Sequence, residues 1–201
     1  MDERLRLLHE SFTDAKIVWK DDYQYFIHPL TDGVPRVDSD LLRAVADLII
    51  EKVEWDDIDV ILGIEAMGLP LVSTVSLMTN KPMLIARKRG YGLEGETVVS
   101  QQTGYSKGEL FLNDLSSKDR VLVIDDVIST GGTLSAIIDG VLRTGATLIQ
   151  VIIVVEKGEA MEEISLKHGI PISSLVKVEM DGDTVRTVSY THLTLPTNTE
   201  V

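Results

Sequence analysis

Twice in this chain a short β-branched run leads into an amphipathic stretch and returns as a second short run. The first unit reads IDVILGI (58–64), AMGLPLVSTVSLMT (66–79) and PMLIAR (82–87). The second reads RVLVID (120–125), GTLSAIIDGVLRTGA (132–146) and LIQVIIVVE (148–156). Runs that are apolar on both faces cannot lie at a wetted surface. They predict central strands of a mostly parallel sheet with helices on both sides, because parallel neighbours need a crossover long enough to hold a helix. Gly145 fits a helix C-terminus and Gly132-Thr133 a helix start.

The flanking segments fit around that sheet. VDSDLLRAVADLIIEKV (37–53) predicts a helix with Asp38 or Ser39 as N-cap and Leu42, Val45, Ala46 and Ile49 on one face. AKIVWKDDYQYFIHPLTDGVP (15–35) predicts a short hairpin entering a Pro/Gly loop, a small N-terminal hood. GEAMEEISLKHG (158–169) predicts a short helix, and SLVKVEMDGDTVRTV (174–188) two strands about an Asp-Gly turn. No linker or low-complexity tract divides the chain. Residues 1–187 are expected to form a single domain. Val188 to Thr197 can be reverse-translated into the transposase end sequence of sequencing-library adapters, so 188–201 is expected to be a non-native tail.

Composition excludes several functions. The net charge of −13 disfavours nucleic acid and anionic membranes as partners. No apolar run approaches the ~18 residues that cross a bilayer, and MDERLRLLHE lacks the order of a signal peptide. There is no cysteine for a disulfide or thiolate site, and His9, His28 and His168 are too dispersed for a metal cluster. A cytoplasmic protein without a metal site of its own is expected.

The chemistry concentrates in VLVIDDVISTGGTL (121–134). Open α/β sheets bind ligands at the carboxyl ends of their strands, and Asp125 and Asp126 stand at such an end. The glycines of the following loop let backbone N–H groups approach an anion, and the helix N-terminus beyond adds a favourable dipole. Carboxylates only accept hydrogen bonds, so the pair suits a donor-rich partner such as a sugar diol. A phosphate and a diol on one ligand describe a ribose 5-phosphate. GYGLEG (90–95) matches G-x-G-x-x-G but runs into ETVVSQQTGY, which has no helix pattern, so a dinucleotide site is not expected. The absent Walker lysine motif likewise disfavours an ATPase.

The stretch VLVIDDVISTGGT resembles the phosphoribosyl-pyrophosphate (PRPP) motif of the type I phosphoribosyltransferases. YFIHPLTDGVP, GIEAMGLPL, RKRGYGLEGE and QQTGYSKGEL are similar to the purine branch, most of all to the archaeal hypoxanthine/guanine phosphoribosyltransferase-like proteins. The resemblance implies the type I phosphoribosyltransferase fold and transfer from PRPP to a purine, with Mg²⁺ travelling with PRPP, and a homodimer. It places Asp125 and Asp126 on the ribose hydroxyls and Ser129, Thr130, Gly131, Gly132 and Thr133 around the 5-phosphate. Glu65, Ala66, Met67 and Gly68, with Arg87 and Lys88, would face pyrophosphate. The related adenine enzymes usually carry Arg where Met67 stands. Gln102, Thr103, Gly104 and Tyr105 fall on the family's flexible loop, where Tyr105 would shield the reaction from water. Lys157 would donate to O6 of a 6-oxopurine, and Phe26 or Tyr25 would stack on the base. Hypoxanthine and guanine are the expected acceptors, with adenine the alternative and xanthine open. A PRPP-sensing regulator without catalysis is the rival, although its usual helix-turn-helix or basic face is not seen here.

Overall fold

The two repeated units become the two halves of one sheet. A computed structural model of the protein describes residues 2–20, 23–102 and 107–188. The first unit folds as β3 (Val60–Ile64), α4 (Gly68–Thr79) and β4 (Met83–Ala86). The second folds as β7 (Arg120–Ile128), α5 (Gly132–Arg143) and β8 (Thr147–Lys157). β9 (Ile172–Asp181) and β10 (Thr184–Val188) complete a sheet of order β10-β9-β8-β7-β3-β4, parallel except for the β9–β10 hairpin.

β7 is buried along nearly its whole length, as its unbroken apolar pattern requires. Alternate residues serve opposite layers. Leu122 and Ile124 join a core built with α3 (Ser39–Ile50) and α4, whereas Val121 and Val123 join one built with α5. Val188 pairs with Lys177 at the end of β10; the rest of the expected tail, 189–201, lies outside the described residues.

The hood comprises α1 (Glu3–Glu10), the antiparallel ribbon β1 (Lys16–Lys20) and β2 (Tyr23–Ile27), and the one-turn helix α2 (Pro29–Asp32). A second ribbon, β5 (Thr97–Gln102) with β6 (Lys107–Leu112), lies along α5. Its Val99 packs where Gly140 leaves room: a Cβ there would sit 2.3 Å from Val99 Cγ1. Arg143 also donates to the Val98 carbonyl at 2.8 Å. The short helix α6 (Ala160–His168) covers the loop before α5.

The face of α3 is wider than expected and one strand is longer. Leu41 and Ala44 are buried with Val45, Ala46 and Ile49, and Leu42 packs half-buried against the same core. Of the two expected caps Asp38 is the N-cap, accepting from the Asp40 and Leu41 amides. β7 also continues beyond the acids, because Val127 and Ile128 pair in register with Val155 and Glu156.

Candidate active site

Asp125 and Asp126 are 8% and 9% exposed toward the carboxyl end of β7. Burial raises both carboxyls above the usual carboxylate range. Asp126 is raised further by the charge and hydrogen bond of Asp125 and, least, by Asp32 of α2, whereas hydrogen bonds from Asp126 first and the Lys88 charge after them pull Asp125 back down. Neither makes an ion pair among the described residues. Within the pair the carboxyl and the amide of Asp126 both serve Asp125, so Asp126 is the member that keeps its proton more readily.

Gly68 explains how a helix comes so near. A Cβ at this position would lie 3.0 Å from Asp125 Oδ1 and 3.3 Å from the Ile124 carbonyl. Only glycine brings the first turn of α4 against the acid in this way. α4 begins at Met67 without a side-chain cap, and α5 begins at Gly131, φ 74°, also without one. In α4 the Leu69 amide donates to the Ala66 carbonyl at 3.2 Å; helix starts without a side-chain cap are places where N–H groups can meet an anion.

The loop between β7 and α5 carries Ser129, Thr130, Gly131, Gly132 and Thr133, as the sequence places them. Gly131 is required twice over, by its left-handed φ and by α6, whose Ile164 Cδ1 would lie 2.3 Å from an added Cβ. Two hydroxyls of the loop reach other elements. Ser129 Oγ is hydrogen-bonded to Tyr23 Oη of β2, and Thr133 Oγ1 donates to Gln101 Oε1 of β5 at 2.9 Å. Neither partner is legible from the sequence, since each bond joins segments far apart in the chain.

Glu65, Ala66 and Met67 fill the turn from β3 to α4, and the Glu65–Ala66 peptide is cis. Glu65 accepts from Arg87 Nε at 3.2 Å and from the Lys88 amide at 3.0 Å. Those contacts, the Lys88 amide foremost, hold its carboxyl below the usual range. Glu65 thus ties the β3–α4 turn to the basic loop after β4. Arg87 stays 40% exposed along its side chain and, with Arg89, lies 5.9 Å from the Tyr91 ring centroid. Beyond them Glu96 accepts from the Tyr91 and Gly92 amides and from Asn113 Nδ2, so the glycines of GYGLEG shape a turn closed by a carboxylate. Gln102 ends β5; Thr103, Gly104 and Tyr105 lie outside the described residues.

On the far side of the acids, Lys157 at the end of β8 reaches the hood. Its ammonium lies 3.8 Å from the Tyr23 ring centroid and 5.9 Å from that of Tyr25, and it donates to the Gln24 carbonyl. Phe26 does not join them. It is 7% exposed and packs edge-on to Phe12, 5.9 Å between centroids, because β2 turns alternate residues to opposite sides. A cleft of about 480 Å³ opens here, lined by Tyr23, Ser129, Lys157 and residues at the ends of β8 and β9. Beside it Glu156, 5% exposed, accepts from Ser174 Oγ at 3.0 Å and faces Lys177 Nζ at 3.6 Å. Among the described residues no cluster of three or more His, Cys, Asp or Glu could hold a metal. No helix there is long and apolar enough to cross a membrane.

The chain resembles known proteins along most of its length. A family model described as a phosphoribosyl transferase domain matches residues 38–180. A hypoxanthine/guanine phosphoribosyltransferase of Methanotorris igneus is 49% identical over 180 residues, covering 89% of this chain and 98% of that protein. One of Aciduliprofundum boonei is 44% identical over 176 residues, covering 88% and 95%. Among solved structures, adenine phosphoribosyltransferase from Rhodothermus marinus superposes with a TM-score of 0.71 at 23% identity, covering 87% of this chain and 98% of that one. The Trypanosoma brucei enzyme, in complex with AMP, pyrophosphate and ribose-5-phosphate, gives 0.72 at 20% identity, covering 88% and 80%. The acid pair on β7, the loop that follows it and these full-length likenesses lead to one statement: the chain belongs to the phosphoribosyltransferase family.

Proposed function

We propose that the protein transfers the 5-phosphoribosyl group of PRPP to N9 of hypoxanthine or guanine, releasing pyrophosphate and giving the nucleoside 5′-monophosphate, as a step of purine salvage. The observation that carries this reading is near full-length identity of 42–49% to relatives named hypoxanthine/guanine phosphoribosyltransferase. The adenine enzymes share the fold at 23% identity or less and do not speak to the base. Lys157 supports a 6-oxopurine, since an ammonium can only donate and O6 only accepts, whereas adenine presents an amino group at that position.

The protein's task in such a transfer is to position, neutralise and exclude water rather than to supply a nucleophile. Asp125 and Asp126 take the ribose hydroxyls, which donate to carboxylate oxygens. The uncapped start of α5, with Ser129 to Thr133, receives the 5-phosphate. Glu65 to Gly68 and the uncapped start of α4 face the departing pyrophosphate, helped by Arg87 and Lys88. The hard oxygens of the acid pair fit a Mg²⁺ held largely by PRPP's own oxygens and by water. When bound, that ion neutralises charge on the leaving pyrophosphate.

The test is to incubate the protein with PRPP, Mg²⁺ and, separately, hypoxanthine, guanine, adenine and xanthine, and to measure the nucleotide formed. Product with hypoxanthine and guanine is expected. Product with adenine alone would move the protein to the alternative acceptor. PRPP binding without product from any base would make it a sensor.

A further inference from the structure

We infer that Tyr23 is a positioning residue for both halves of the reaction, orienting Ser129 through its hydroxyl and Lys157 through its ring. The inference rests on the phosphoribosyl-transfer reading and deepens it. Three observations converge on this side chain. Its Oη is hydrogen-bonded to Ser129 Oγ in the loop expected to take the 5-phosphate. Its ring lies 3.8 Å beneath the Lys157 ammonium, the donor expected to meet the base. All three residues line the same cleft of about 480 Å³.

The chemistry of each contact bears on its sense. Either hydroxyl can donate in this bond; a phenol is the stronger acid, and we take Tyr23 as donor and Ser129 as acceptor. Ser129 is then held in one rotamer with its own proton left to give to a phosphate oxygen. The Tyr23 ring presents its negative face to Lys157, and Tyr25 braces the ring edge-on at 4.8 Å. With Lys157 also donating to the Gln24 carbonyl, the ammonium is confined to the hood strand. Phosphate and base ends of the site thus share one support.

Two variants separate the roles. Tyr23→Phe keeps the ring and removes the hydroxyl. It is expected to raise the KM for PRPP by about 2- to 10-fold, the worth of one such hydrogen bond, and to leave the KM for hypoxanthine unchanged. Tyr23→Leu removes both and is expected to raise the hypoxanthine KM as well, by about 2- to 30-fold. In a Lys157→Met background, changing Phe to Leu at position 23 should not move the hypoxanthine KM further; a residue that merely props up the hood would move it in either background. Thermal unfolding of each variant confirms the fold. Unchanged PRPP kinetics in Tyr23→Phe, or unchanged hypoxanthine kinetics in Tyr23→Leu, overturns the inference while leaving the activity assigned. A wild-type protein that forms no nucleotide from any of the four bases overturns the phosphoribosyl-transfer reading, and this inference with it.

Discussion

The hood and the carboxyl edge of the sheet handle buried polar groups in opposite ways. In the hood, His28 is fully buried yet fully partnered. Ser11 Oγ donates to the Leu8 carbonyl, so His28 Nε2 donates to Ser11 at 2.9 Å while its Nδ1 accepts from the Leu30 amide at 3.2 Å. The ring also stacks on Phe12 at 4.0 Å. Helices α1, α2 and α3 each start on a capping side chain, Asp2, His28 and Asp38. At the carboxyl edge, α4 and α5 start without one, and the two buried carboxylates stand side by side. One region is finished by its own side chains; the other has helix starts that no side chain caps. Stability is given up where function needs open valences.

The largest effect should come from breaking the unfinished region. Asp125→Asn with Asp126→Asn is expected to lower kcat/KM for PRPP by about 100-fold or more, since Asn offers one acceptor oxygen and no charge. Both acids have raised values in the folded state, so the stability tied to their protons is present at low pH and lost as pH rises through those values. The double variant should therefore be more stable than wild type at pH 8, by on the order of 1 kcal/mol, without ligand. A lower melting temperature at pH 8 would show the pair to be structurally supportive.

The finished region should behave inversely. Burial depresses His28 to about 4, so its contribution is complete above the ordinary histidine value of about 6.5 and is lost as pH falls toward and past 4. Urea unfolding between pH 7 and pH 4 should reveal on the order of 3 kcal/mol from this source. His28→Gln should flatten that slope with turnover at pH 7.5 unaltered. A slope that persists in the variant would place the titration elsewhere.

Next in size is Gly68→Ala. Its Cβ, 3.0 Å from Asp125 Oδ1, forces the start of α4 away from the acid. About a tenfold loss in kcat/KM is expected, with a stability change of about 1 kcal/mol, both measurable on the purified variant. Smallest is Gln101→Ala. Thr133 presently gives its proton to Gln101 Oε1, so removing that acceptor frees the hydroxyl for phosphate. Calorimetric titration with PRPP should show binding tightened by about 2- to 10-fold.

Much of this contrast could be read from residue order. The acid pair and the glycines after it lie within one continuous segment, and the two α/β units announce the sheet through pattern alone. What stayed hidden depends on facing or on distance along the chain. Tyr25 and Phe26 are adjacent in a strand and so cannot share a side, but the sequence does not say which side meets the site. Leu41 and Leu42 of α3 both meet the core, and how far the buried face extends around the helix depends on what packs there, which residue order does not give. The bonds from Glu65 to Arg87, Tyr23 to Ser129 and Gln101 to Thr133 exist only because the sheet brings distant loops to one edge.

Strand order also bears on assembly of the chain. Val121 of β7 meets Leu148 of β8 through the short α5 crossover, but meets Val60 of β3 only across a span that includes the whole β5–β6 ribbon. Closing the shorter loops costs less entropy, so β7–α5–β8 and β3–α4–β4 are each placed to form before the two dock along β3 and β7. The carboxylates wait on a strand that has gained one neighbour and not the other. Gly68 reaches Asp125 only at the last docking step, so competence for turnover should be the latest property a refolding chain acquires.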